Sequence, residues 1–133
     1  MPNQRLNQSP LRLAFFRMCL VVALTAITFL ATTSREFPII SSVSDKINHV
    51  LAFFVLAGLT DGSFPGKKFW KVKALLLLGY GMLIECIQYF IPCREFSLLD
   101  VAADGAGLMV YQAVVKKLRI TIGRWRHESR KTK

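Results

Sequence analysis

Residues 67–91 read KKFWKVKALLLLGYGMLIECIQYFI. Four lysines crowd its start, an apolar run follows from about 70 to 91, and Glu85 and Gln88 stand three residues apart near its far end. The run is close to the ~20 residues needed to cross a bilayer. An ionised side chain within a membrane helix costs up to about 2.5–3.5 kcal/mol on insertion scales, less near the interface, so a carboxylate there should face other helices and find a partner. Whether this run spans a membrane, and what meets Glu85, decides the fold.

The rest of the chain is consistent with a lipid solvent. Its 133 residues allow one domain, yet 53% are hydrophobic and the mean hydropathy is positive, unlike an ordinary soluble domain of that size. Three further apolar stretches occupy about 13–31, 46–60 and 98–115. The second is short: its apolar core covers about 22 Å at about 1.5 Å per residue, against about 30 Å of hydrocarbon, so it must recruit the polar turn from Val43, tilt, or thin the bilayer. Ser42 stands three residues before Asp45, a capping-box spacing, and Ser97 precedes LLDVAADGAG as a natural N-cap. Pro38, Pro65 and Pro92 punctuate the connections. The expected fold is all-α, a polytopic membrane bundle of four transmembrane helices. Cys19, Cys86 and Cys93 form no disulfide framework or metal-ligand spacing and read as small apolar residues, Cys93 the most exposed.

A net charge of +10 raises nucleic acid as a partner, but the bases lie between and after the apolar runs, as topology signals and contacts to anionic lipid do. Residues 1–17, 60–73 and 116–133 carry net charges of +3, +3 and +7, leaving −3 elsewhere. The positive-inside rule assigns these three segments to the cytoplasm, alternating with two short, nearly balanced connections, SREFPIISSVSDK and PCRE. Four helices with both termini cytoplasmic satisfy every segment: a cytoplasmic segment over 1–12, a membrane domain over 13–115 and a basic tail over 116–133. In this threading Phe69 and Trp70 mark the inner interface and Tyr89 and Phe90 the outer. HESRKTK reads as a disordered end, and VVKKLRITIGRW as a segment along the inner surface. A rival threading makes residues 1 to about 33 a cleaved signal peptide, leaving the other helices' orientation unchanged.

The threading brings the polar residues to one depth. Asp45 and His49 lie one turn apart in the first turns of the second helix, Glu85 and Gln88 near the outer end of the third, Arg94 just beyond, and Asp100 and Asp104 in the first two turns of the fourth. These seven are the candidate binding residues. Three have a plainer reading, while Glu85, Gln88 and Asp104 are harder to dismiss. A histidine bonded to a carboxylate commonly locks helices together, Arg94 serves as an interfacial anchor, and Asp100 complements the positive end of a helix dipole. Ala103 to Gly107 and Ala102 to Ala106 are small-x-x-x-small pairs that let helices approach closely.

DKINHVLAFFVLAGL, then E-x-x-Q at Glu85 to Gln88, then R-x-x-S-x-x-D at Arg94 to Asp100 followed by Gly107, resembles the VanZ-like family of small bacterial membrane proteins over roughly residues 41–111. The resemblance implies a helical inner-membrane domain of the cell envelope, in a family named for teicoplanin (glycopeptide) resistance and without a settled biochemical activity. Asp104 stands where the family often has Asn, Cys93 where a Gly commonly precedes the Arg, and Tyr111 where a second small residue is usual.

The leading expectation is a pocket at the outer face that binds a lipid-linked or polar envelope group, Arg94 meeting phosphate and the acids meeting amines or hydroxyls. The alternatives are an intramembrane enzyme using Glu85 or His49 in acid-base chemistry on a headgroup, and a proton or ion pathway, which an inner half nearly free of polar side chains disfavours. No nucleophile signature, cofactor or metal is expected, although Asp45, His49, Glu85, Asp100 and Asp104 together have the donors of a mixed N/O shell. Membrane lipids are the expected partners, nucleic acid is not, and homo-oligomers are compatible with so short a bundle.

Overall fold

Ser9 opens the first helix: its Oγ accepts the Arg12 N–H at 3.3 Å, and Pro10 occupies the first turn, where its missing N–H costs nothing. The computed structural model describes residues 9–33, 42–66, 70–92 and 96–131, without the side chains of 42–44, 70 and 126–131. These residues form four α-helices and no strand: α1 (Pro10–Thr32), α2 (Ser42–Ser63), α3 (Trp70–Gln88) and α4 (Leu98–Lys131). At the end of α3 the Phe90 and Ile91 N–H groups bond three residues back, to Ile87 and Gln88, a tightening that precedes Pro92. Ser97 caps α4 as expected, its Oγ accepting the Asp100 N–H at 3.3 Å. The cap expected at Ser42, Phe69, Cys93 and Arg94, and the side chain of Trp70, lie outside the described residues.

The helices run alternately up and down. Arg17 near the start of α1 donates to the Ser63 carbonyl at the end of α2, while Gln88 at the end of α3 donates to the Ala31 carbonyl at the end of α1. Central to the bundle is α2, which packs most extensively on α4 and then on α1. Phe53, Leu56 and Ala57 of α2 form the core with Leu77 of α3 and Leu108 of α4, and Leu20, Leu24 and Ile27 of α1 lie against it. Gly107 permits the closest approach: a Cβ there would run into the Val50 carbonyl oxygen and meet Phe54 N at 3.1 Å. Thus α4 lies backbone against backbone on α2 beside His49.

Most of the outer surface is apolar. Leu11, Phe15, Met18, Phe29, Leu75, Leu98 and Met109 are among many large hydrophobic side chains that point away from the bundle. Two helical stretches, Pro10–Thr32 and Leu98–Trp125, are long and apolar enough to cross a membrane.

Several boundaries differ from the sequence reading. The short second stretch extends at both ends into a helix of 22 residues, about 33 Å at about 1.5 Å per residue. The last stretch does not stop at 115: α4 continues through VVKKLRITIGRW to Lys131, so one helix covers that segment and HESRK. Lys, Leu and Arg are strong helix formers, no proline intervenes, and Arg119 lies 4.0 Å from Asp61 of α2. Of the small-residue pairs, Ala103 and Gly107 are buried, whereas Ala102 and Ala106 are exposed.

Candidate functional site

His49 gathers the site. Its Nδ1 lies 2.8 Å from Asp104 Oδ1 of α4, and its Nε2 lies 4.0 Å from Glu85 Oε1 of α3. One imidazole on α2 thus stands between carboxylates from α3 and α4. Glu85 also ties α3 to α4, since its Oε2 accepts the Ser97 N–H at 3.0 Å. Asp100, three residues on, has its Oδ1 3.9 Å from Lys46 Nζ, and Asp45 stands one turn before His49 with a ligand atom within 4.8 Å of those of His49 and Asp100. Gln88 is directed toward α1: its amide caps the Ala31 carbonyl at 3.2 Å.

Of these groups, Asp45, His49, Gln88 and Asp104 line a cavity of about 690 Å³. Asp45, Asn48, His49, Gln88 and Asp104 supply polar lining, and Ile27, Phe29 and Leu30 of α1 an apolar wall. The volume falls within the ~300–1,000 Å³ typical of small-molecule sites, and a mostly apolar lining with a few convergent polar groups is their usual chemistry. Asp104 enters only because residue 81 is glycine: a Cβ there would collide with Asp104 Oδ2 and stand 2.9 Å from Phe53 Cζ.

The cluster is incompletely satisfied. Glu85 and Asp104 are wholly buried and Asp100 is 8% exposed. Glu85 Oε1, Asp100 Oδ1 and Asp104 Oδ2 have no hydrogen-bond partner, and of the three Asp104 lines the cavity. A buried acceptor left unmade costs about 1–3 kcal/mol, more when charged, so three in one cluster set it apart from a simple helix clasp.

Of the seven expected residues, Asp45, His49, Glu85, Asp100 and Asp104 meet in one cluster, Gln88 lines the same cavity while bonding to α1, and Arg94 lies outside the described residues. Asn48, Gly81 and the α1 wall were missed. Asn48 follows from its position one residue before His49 on the same turn, whereas the wall depends on how α1 is rotated, which an all-round apolar helix does not signal.

A second polar cluster at the opposite end of the bundle was also missed. Asp61 Oδ1 lies 2.8 Å from Lys73 Nζ, and Asp61 Oδ2 accepts from the Tyr111 hydroxyl at 3.1 Å. Lys73, expected as an exposed topology signal, is 4% exposed. The reasoning applied to Glu85, an ionisable group inside an apolar helix, identifies Lys73 equally well. Twelve residues separate Asp61 from His49, about 18 Å along α2, so the second cluster is distinct from the cavity floor. It overturns the expectation that this half of the bundle is nearly free of polar side chains.

Comparison with protein-family models, curated proteins and solved structures finds no match for this chain.

Proposed function

We propose that the chain is a multi-pass protein of the bacterial inner membrane, of the VanZ-like type, whose four helices all span the bilayer. In this reading its cavity takes up the polar end of an amphiphilic envelope group at the outer face. One observation carries this: a single cavity joins the Asp45 and Asp104 carboxylates and the His49 imidazole to a wall of apolar side chains. An amphiphile has matching halves. Its hydroxyl or amine donors answer the acceptor left open on Asp104, and its chain lies along α1 beside Phe29 and Leu30, which are 67% and 63% exposed.

The orientation is supported by where the bases fall. Arg17 joins the end of α2, and Lys73 and Arg119 surround Asp61, so these three bases collect at the end of the bundle away from the cavity, against Lys46 at the cavity end. Under the positive-inside rule that end is cytoplasmic. Contacts to α1 support its retention over removal as a signal peptide: the Thr28 and Tyr80 hydroxyls are 2.9 Å apart, Tyr80 donates to the Leu24 carbonyl, and α1 forms one wall of the cavity. An ion pathway is disfavoured by the apolar layer of Phe53, Leu56, Ala57, Leu77 and Leu108 between the two polar clusters. Acid-base catalysis on the bound group is a second reading, favoured by the His49 imidazole oriented by Asp104 with Glu85 across its other nitrogen.

Native mass spectrometry of protein released from nanodiscs of bacterial lipid extract tests the binding reading. Wild-type protein should carry a bound amphiphile, and Ala52→Trp, which fills the cavity, and the Glu85→Gln/Arg94→Ala pair should lose it. Equal lipid retention by all three proteins would remove the cavity from the function.

A further inference from the structure

We propose that Asp45, His49 and Asp100 bind a divalent transition-metal ion, of the Mn²⁺ or Zn²⁺ class, beside the cavity, with Glu85 closing the shell. Three lines of geometry meet there. One ligand atom from each of Asp45, His49 and Asp100 lies within 4.8 Å of the others. Glu85 is wholly buried and Asp100 nearly so, and each has a carboxylate oxygen without a hydrogen-bond partner. Four carboxylates, those of Asp45, Glu85, Asp100 and Asp104, gather around one imidazole, with the Lys46 ammonium 3.9 Å from Asp100 Oδ1, beyond hydrogen-bond range.

The spacing around His49 fits an ion. Asp104 holds Nδ1 at 2.8 Å, the carboxylate–imidazole arrangement that orients a metal-bound histidine and leaves Nε2 as the donor. Nε2 and Glu85 Oε1 are 4.0 Å apart, too far for a hydrogen bond. Two bonds of about 2.0–2.2 Å meeting at one ion span just over that distance when nearly opposed. The widest pair of the trio, at up to 4.8 Å, need close by only a few tenths of an ångström for both atoms to reach one ion. One nitrogen with carboxylate oxygens is a donor set for Mn²⁺, Fe²⁺ or Zn²⁺ rather than for the soft-ligand metals. The chain lacks the short-range ligand spacing by which such sites are read from sequence; helix packing assembles this one.

The proposal rests on the cavity reading and adds to it. An ion there offers a hydroxyl or phosphate oxygen of the bound group a coordination position, which turns an acidic floor into one that accepts oxygen ligands.

The test uses full-length protein in detergent micelles, stripped with EDTA and titrated separately with MnCl₂ and ZnCl₂ by calorimetry, with retained metal measured after desalting. Wild-type protein should retain one equivalent. Affinity should fall at least ~10-fold in Asp100→Asn and Asp45→Asn and by about 10–100-fold in Asp104→Asn, and stay unchanged in His127→Ala, which removes the chain's other histidine. Pulsed EPR of the Mn²⁺-loaded wild type should show coupling to one imidazole nitrogen, a readout independent of whether any variant folds. Substoichiometric retention of both metals, binding that survives Asp100→Asn but is lost in His127→Ala, or a manganese signal without nitrogen coupling would each overturn the proposal. Lipid retention is measured without added metal, so loss of the metal site and loss of the cavity reading give separate results.

Discussion

Replacing Gly107 by alanine tests whether close α2–α4 contact builds the site. The added Cβ would collide with the Val50 carbonyl oxygen and stand 3.1 Å from both Phe53 Cβ and Phe54 N, where ordinary contact begins at 3.4 Å. Two of these three obstacles are backbone, so no rotamer change relieves them and the helices must separate. Overpacking costs about 1–3 kcal/mol, and rigid obstacles put this case near the upper figure. Against it stands about 0.8–1 kcal/mol gained by replacing glycine with alanine in a helix. The net expectation is a loss of about 2 kcal/mol. Gly79 and Gly105 are the controls: a Cβ at Gly79 meets nothing within 4 Å, and one at Gly105 meets only Leu78 Cδ2 at 3.8 Å. Gly79→Ala and Gly105→Ala should therefore be neutral or gain up to about 1 kcal/mol. Unfolding midpoints in mixed micelles measure all three. Since Gly107 is three residues from Asp104 and its neighbour Val50 is one from His49, the His49–Asp104 coupling from a double-mutant cycle should also shrink in the Gly107→Ala background. Stability of Gly107→Ala within about 0.5 kcal/mol of Gly79→Ala, the usual scatter for independent sites, would refute the close-contact argument.

Lys73→Met should cost about 1–3 kcal/mol, because Asp61, whose side chain is 27% exposed, loses its ammonium partner but keeps the Tyr111 hydroxyl, whereas Lys73→Met/Asp61→Asn should recover part of that loss; a double-mutant cycle in the same micelles measures the difference. Tyr80→Phe removes the hydroxyl bonded to Leu24 and beside Thr28 and should cost about 1 kcal/mol, with faster proteolysis between α1 and α2. In cells expressing a chain whose only cysteine is Cys93, a membrane-impermeant maleimide should label that residue from outside; labelling only after permeabilisation would reverse the proposed orientation.

Features carried by local signals were legible in the sequence. Four apolar runs became four helices because apolar length and the prolines between them act over a few residues. The pairs Asp45/His49 and Asp100/Asp104 met because spacings of four residues fix a helix face before any packing is known. Features decided by packing were not legible. Nothing local distinguishes Ala102/Ala106 from Ala103/Gly107; the choice follows from which face of α4 α2 occupies. The extension of α4 past 115 was masked by its charge, which resembles a solvated tail until Arg119 is seen beside Asp61. Gln88 was placed at the right depth, yet its bond to Ala31 depends on where α1 ends.

The two ends of the bundle use acids differently, and that difference leads to a last prediction. At the basic end both oxygens of Asp61 have partners, Lys73 on one and Tyr111 with Arg119 on the other, as expected of a clasp between helices. At the cavity end Glu85, Asp100 and Asp104 each retain an oxygen without a donor, and Gly81 gives up its side chain to admit one of them. A clasp alone is served by a neutral amide at lower cost, because an unmade charged acceptor in an apolar interior costs more than a satisfied one gains. Stability and use should therefore diverge here. Glu85→Gln keeps a carbonyl oxygen to accept the Ser97 N–H and removes the charge, so it should raise the stability of the ligand-free, metal-free protein by about 0.5–2 kcal/mol while weakening ligand retention. Asp61→Asn, the same kind of change at the other end, should only destabilise. If Glu85→Gln and Asp61→Asn lose stability equally, the open oxygens carry no cost in the folded chain, and the physical reason for assigning this floor a ligand disappears.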